Sequence, residues 1–264
     1  MLFDFKLRPV DEIKPWGESP DLSLSWFGLT DGFYRLQVGT ERLFSSSDQI
    51  ARVWVAKDPN FSGVYVDYQV VRLWEDLLQI LPDVLAPIPP ELARWFSADS
   101  PNTTDLLQSA KDWLDLEKDP DVLDKAISWI QNRTLDSQYL ADGPNIWLWS
   151  NDETVTVTWD NRHCLLDGVE LWSARCGSYS MPRATFLKEV RRFNDELIGQ
   201  MQQRVDEISA SWNRPHIRID LEGLRREQSE RSGVLDKRKH CQGDPIDLKR
   251  VLAAMDEVSK SDAI

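Results

Sequence analysis

The longest periodic stretch of the chain lies near its C-terminal end. Phe186, Val190, Phe193, Leu197, Met201, Val205, Ile208 and Trp212 recur at spacings of three and four. Such a stripe predicts one amphipathic helix of about seven turns and ~40 Å. Ser180 and Pro182 suit its start, and Pro215 stands just beyond its end. Val70, Trp74, Leu77, Leu78 and Leu81 share a second helical face. Pro82 is expected to end that helix, and Pro87, Pro89 and Pro90 to stiffen the connector before a short helix over residues 91–96.

Two further helices follow from the same period. Leu106, Leu107, Ala110, Trp113 and Leu114 define one, and Val122, Leu123, Ala126, Ile127 and Ile130 the other. Asp119 and Pro120 between them read as a cap followed by a first-position proline. So short a connector makes the pair an antiparallel hairpin.

Elsewhere the period is two. The first 66 residues read as strands and turns, including the apolar run Val53, Trp54, Val55. Residues 146–149, 154–159 and 171–176 read as three more strands, the second alternating apolar residues with threonine. Toward the C-terminus, residues 221–231 read as a charged helix and 233–243 as a linker. Asp244 and Pro245 repeat the cap signal ahead of an amphipathic helix with Leu248, Val251, Leu252, Met255 and Val258. The expected fold is α+β: antiparallel sheets packed by one long helix, with a helical hairpin insertion and C-terminal helices. Residues 1–212 are expected as one domain carrying the helical insertion 67–135, and residues 213–264 as a helical extension.

Charge then localises the picture. The 264 residues carry 44 acids and 31 bases, a net of -13. Residues 1–180 hold 29 of the acids and 15 of the bases, and residues 67–124 hold 13 acids and 4 bases. The densest acids are Asp112, Asp115, Glu117, Asp119, Asp121 and Asp124, crowding the turn of the expected hairpin. They form either a solvated helix edge or a docking face for a basic protein, which would speed association by long-range steering. The same negative charge argues against nucleic-acid and anionic-membrane partners.

The chain has 12 Trp against 9 Phe and 5 Tyr. Trp74, Trp113, Trp159 and Trp212 fall on apolar faces and are expected in cores. Trp147 and Trp149 share one strand face, and Trp16 and Trp26 lie among turns, so these four are candidate partner anchors.

Catalytic chemistry leaves little trace. No P-loop, GxSxG, HExxH or dinucleotide fingerprint occurs. Asp160 and Asp167 flank a turn and could pair as acid and base, yet turns demand such residues for backbone reasons. His163, Cys164, Cys176, His240 and Cys241 lack metal-ligand spacing, so no metal or cofactor is expected. Three cysteines, no apolar leader and no membrane-length apolar run point to a cytoplasmic protein.

The segments LFDFKLRPVDEIKPWG, LSWFGLTDGFY and WDNR, with the block LWSARCGSYSMPRATFLKEVRRFNDELIGQMQQRV, resemble a bacterial family of unknown function. The family is in turn similar to small acidic immunity proteins of secreted antibacterial toxins. With the confined acidity and the absence of catalytic motifs, that resemblance leads to the expectation of a non-enzymatic protein that neutralises a cognate toxin stoichiometrically through its acidic face. The expected toxin is a basic nuclease effector delivered by type VI secretion. A small-molecule-binding protein or enzyme, with its site between sheet and long helix, is the alternative. A homodimer built on the C-terminal helices is compatible with either.

Overall fold

The computed structural model describes residues 1–57, 63–96, 120–140, 142–240 and 247–259. The fold is α+β. Its contacts gather into two units, each assembled from two separated stretches of chain. Unit 1 comprises Met1–Leu78 and Ala184–His240; unit 2 comprises Gln79–Arg183 and Cys241–Ile264. Residues 213–264, expected as one extension, therefore divide between the units.

Unit 1 is built on strand β2 (Asp31–Val38), whose inward positions Gly32, Tyr34, Leu36 and Val38 alternate with half-buried ones. Strand β1 (Phe3–Leu7) lies antiparallel along one edge, pairing Phe3 with Leu36 and Phe5 with Tyr34. Along the other edge run β3 (Glu41–Leu43) and β4 (Val66–Gln69). Two helices carried wholly or in part by this unit are α1 (Asp48–Lys57) and α2 (Val70–Leu85).

The long helix is present as α5 (Arg183–Ala210), numbered after two helices of unit 2. Seven of its eight stripe positions are buried, from Phe186 to Ile208, while Trp212 lies past its end. Burial of that stripe, rather than intrinsic propensity, holds so long a helix in place. Phe193 stacks on Phe3 with centroids 5.1 Å apart and meets Phe5 edge-on at 5.4 Å. Aromatic rings of β1 thus pack directly against α5.

Polar side chains of α5 also answer backbone groups of the N-terminal segment. Glu189 accepts from the Leu2 amide at 2.6 Å, and Arg192 donates to the Phe3 carbonyl. Burial pushes the Glu189 carboxyl up, but the Leu2 N–H and Arg192 outweigh it and hold it below its usual range. Arg204 donates to the carbonyls of Leu29 and Arg8, and burial lowers its pKa. Beyond the helix, Arg214 reaches the carbonyls of Val10 and Ile13, each at 3.1 Å.

Two helices complete unit 1, α6 (Leu221–Ser232) and α7 (Val234–His240). Asp220 caps α6 by accepting from the Gly223 amide at 2.9 Å. The Trp26 indole donates to Gln228 at 2.9 Å, and the Trp74 indole donates to Asn194 at 3.1 Å. Between them, the Arg231 guanidinium lies 4.4 Å from the Trp26 ring and 5.8 Å from the Trp74 ring. It is neutralised by Glu75 at 2.7 Å and Glu227 at 2.9 Å. Trp26 is therefore a core residue, fully buried, and not the surface anchor expected of it.

Unit 2 centres on strands β5 (Ile146–Ser150), β6 (Thr154–Asp160) and β9 (Cys176–Pro182), all antiparallel, with a two-residue ribbon of β7 (Leu165–Leu166) and β8 (Val169–Glu170). The two strand groups of the chain form separate sheets. Among the described residues, the helices of unit 2 are α3 (Pro90–Ala93), α4 (Pro120–Gln131) and α8 (Leu248–Ser259). Their core joins Ile88, Leu92, Trp95 and Phe96 to Ala126, Trp129 and Ile130, to Trp147 of β5, and to Val251, Ala254 and Met255.

Four expectations need correction. The run Val53, Trp54, Val55 is helical, within α1, because Ser47 caps that helix by accepting from the Ile50 amide at 3.3 Å. Pro82 does not end α2, which runs on to Leu85; its apolar stripe continues through the fully buried Val84, and one missing N–H does not outweigh that burial. Residues 171–176 do not form a strand. The Trp172 indole is tied to the Asp142 carbonyl at 2.8 Å and the Ala174 carbonyl to Asn161 at 2.8 Å, so pairing with β6 begins only at Cys176. Residues 234–240, expected as linker, form α7, anchored by the buried Leu235. The first helix of the expected hairpin, Asp244 and Pro245 lie outside the described residues.

Candidate functional site

Helix α4 carries the acids that the sequence singled out and that the structure describes. Pro120 opens it with a preset φ, and Ala126, Trp129 and Ile130 bury one face. Asp121 and Asp124 stand exposed on its first two turns. Asp112, Asp115, Glu117 and Asp119 lie outside the described residues.

The two tryptophans proposed as anchors go elsewhere. Trp147 is 2 % exposed and belongs to the core of unit 2, so its ring is not presented to a partner. Trp149 is half-buried, stacks on Phe96 at 6.3 Å, and donates its indole N–H to Thr158 at 3.3 Å. Helices α3 and α4 cover the strand face that the sequence left open. Trp16 alone of the four is well exposed, at 55 %.

The other candidate groups serve the fold. Asp160 is buried and held by Arg162 through two bonds of 2.8 Å. Asp167 and Gly168, both with positive φ, form the tight turn of the β7–β8 ribbon. Cys164 is buried beside the Asn145 amide, and burial raises its thiol pKa. No group of three or more metal-ligating side chains occurs among the described residues.

What the structure does assemble is a cleft of about 350 Å³ between α4 and α8, reached by the end of α2. It is lined by Lys125, Ser128, Trp129 and Asn132 of α4 and its C-terminal turn, by Asp247, Arg250 and Val251 of α8 and its cap, and by Asp83. The spacing 125, 128, 132 places the polar lining on one helix face, and Asp121 lies one turn before it on the same face. Asp247 caps α8, accepting from the Arg250 amide at 3.3 Å and pairing with the Arg250 guanidinium at 3.3 Å.

Behind the cleft wall sits Arg133, 1 % exposed. Its guanidinium lies 4.4 Å from the Trp129 ring centre and donates to the Trp129 carbonyl at 3.1 Å, while its Nε has no acceptor. It makes no ion pair among the described residues. Burial pushes its pKa down to about 10, opposed by the charge of Asp83. At neutral pH the ion remains charged, and its desolvation weakens the fold.

Replacing Arg133 with methionine should therefore raise stability by about 1–3 kcal/mol at pH 7, read from the urea midpoint. A loss of more than about 1 kcal/mol would show that its bond to Trp129 outweighs the desolvation. The sign of the pH dependence follows. Between a folded pKa of about 10 and the higher ordinary arginine value, the unfolded chain binds a proton that the folded chain has released. Stability then rises with pH, and the advantage of methionine shrinks.

The sequence missed most of this cleft. Lys125, Ser128 and Asn132 were legible as a helix face. Arg250 and Asp247 come from a helix more than a hundred residues away, and no local signal links them to it.

One family model matches the chain, over residues 2–254, and is described as a family of unknown function, DUF5984. No curated protein and no solved structure matches.

Proposed function

We propose that this chain, which belongs to the DUF5984 family, is an immunity protein that binds a basic antibacterial toxin and blocks it stoichiometrically. The toxin class that fits is a nuclease effector of a type VI secretion system, whose substrate-binding surface is itself basic. The single observation that carries the reading is the confinement of acidity. Residues 67–124 hold 13 acids and 4 bases, and the two described acids at the end of that stretch, Asp121 and Asp124, stand exposed on α4. Such a surface would steer a cationic partner from beyond contact distance. The exposed Trp16, in contact with Phe27 at 6.2 Å, offers an aromatic anchor of the kind interfaces use. Among the described residues no helix is long and apolar enough to cross a membrane.

The decisive experiment expresses the product of the neighbouring gene with and without this chain. Toxicity relieved by the chain supports the proposal; a harmless neighbour, or toxicity that the chain leaves unchanged, defeats it. With a toxic partner in hand, Asp121→Lys together with Asp124→Lys should slow association about tenfold at low salt and flatten its salt dependence. An unchanged association rate would place the partner on another face.

A further inference from the structure

The cleft between α4 and α8 is balanced in charge, within a chain that is acidic overall. Two cations, Lys125 and Arg250, face two carboxylates, Asp83 and Asp247, and the buried Arg133 adds a positive charge behind Trp129. In a chain of net charge -13, that leaves a recess of balanced charge.

Both carboxylates of the recess are engaged. Asp247 is held by the guanidinium and the amide of Arg250, and Asp83 is likewise not free. The groups left without a side-chain partner among the described residues are the Lys125 ammonium, the Ser128 hydroxyl and the Asn132 amide. The Trp129 indole N–H also lacks an acceptor. Lys and Trp can only donate, and Ser and Asn supply further donors. Trp129 and Val251 add apolar wall, and about 350 Å³ is within the range of small-molecule sites.

We infer that this cleft is a binding site for a small carboxylate on an apolar body, its oxygens received by Lys125, Ser128 and Asn132. The apolar body rests against Trp129 and Val251. Arg250 stays with its cap carboxylate and closes the opposite wall. The same chemistry is presented by a free carboxylic acid and by the C-terminal residue of a polypeptide. The site shares a face of α4 with Asp121, but its ligand is an anion and the proposed toxin is cationic, so failure of either reading leaves the other standing.

Phenylacetate and its uncharged amide, phenylacetamide, separate charge recognition from apolar contact. Amide resonances of isotopically labelled full-length chain, followed during titration, should shift at residues 125–132 and 247–251 with phenylacetate. Phenylacetamide should bind about tenfold more weakly, the expected value of one charge-assisted contact. Lys125 is exposed, so Lys125→Gln leaves the core intact and should erase the preference for the acid, while Lys125→Arg should retain it. A short blocked peptide ending in phenylalanine, compared as free acid and as amide, identifies the source. Binding of the free acid at least as tight as that of phenylacetate points to a polypeptide end, and exclusion of the peptide points to a free small molecule. Equal binding of phenylacetate and phenylacetamide overturns the inference. So does the absence of any shift at saturating phenylacetate, or an acid preference that survives in Lys125→Gln.

Discussion

Gly32→Ala should destabilise unit 1 by about 4 kcal/mol, more than any conservative substitution on the protein surface. A methyl at that position would lie 2.3 Å from the Lys6 carbonyl oxygen and 2.9 Å from the Leu7 Cα, both of them backbone atoms. No rotamer can relieve the overlap, so β1 must move away from β2. The register there pairs Gly32 with Leu7 and Phe33 with Lys6, so the shift breaks the end of the ladder. It also strains Arg8, whose amide donates to the Asp31 carbonyl at 2.8 Å and whose guanidinium pairs with Asp31 and Asp67. Hydrogen exchange should localise the damage, with amides of residues 5–8 losing protection first. Loss of less than about 1 kcal/mol in the urea transition would mean that the strand end yields freely.

The second large effect belongs to Trp26. Its complete burial gives Trp26→Ala an expected cost of about 3–5 kcal/mol from lost packing and the cavity left behind. Two polar consequences follow. Gln228 loses the donor to its carbonyl oxygen, and Arg231 loses the ring 4.4 Å from its guanidinium. Trp26→Phe separates these contributions by restoring most of the packing without the N–H. Its expected cost is about 1–2 kcal/mol, that of leaving a buried acceptor unpaired. Combining Trp26→Phe with Gln228→Leu removes both partners and should cost less than the sum of the two single changes. Strict additivity would show that the bond contributes nothing. α6 is the element whose protection should fall in all of these variants.

How much of this was legible from sequence depended on whether the deciding interaction was local. The stripe from Phe186 to Ile208 announced α5 because one buried face fixes a period over many turns. Pro120 announced α4 through its preset φ. The run Val53 to Val55 could not be told from a strand, since three apolar residues have no period, and the Ser47 cap decided it. Residues 171–175 look β-prone, but Trp172 is held by a carbonyl thirty residues earlier. The candidate site shows the same division. Asp121 and Asp124 were placed correctly on an exposed helix. Trp147 was misjudged because the helices that bury it are remote in sequence, and the buried Arg133 left no mark in the chain at all.

The discontinuity of both units bears on how the chain is made. Every strand of the first sheet has been synthesised by residue 69, yet β1 is secured by Glu189, Arg192 and Arg204, and the Trp26 indole by Gln228. At about 5–20 residues per second, some 6–30 seconds separate the sheet from those partners on a translating ribosome. Unit 2 waits as well, because Val251 and Met255 of its core are made only after all of its strands, the last of which ends at Pro182. During that interval the apolar faces of both sheets lack the helices that cover them in the fold, a condition under which a nascent chain exposes aggregation-prone surface. Removal of α8 should therefore strip Val251, Ala254 and Met255 from the core of unit 2 and leave the chain prone to aggregate.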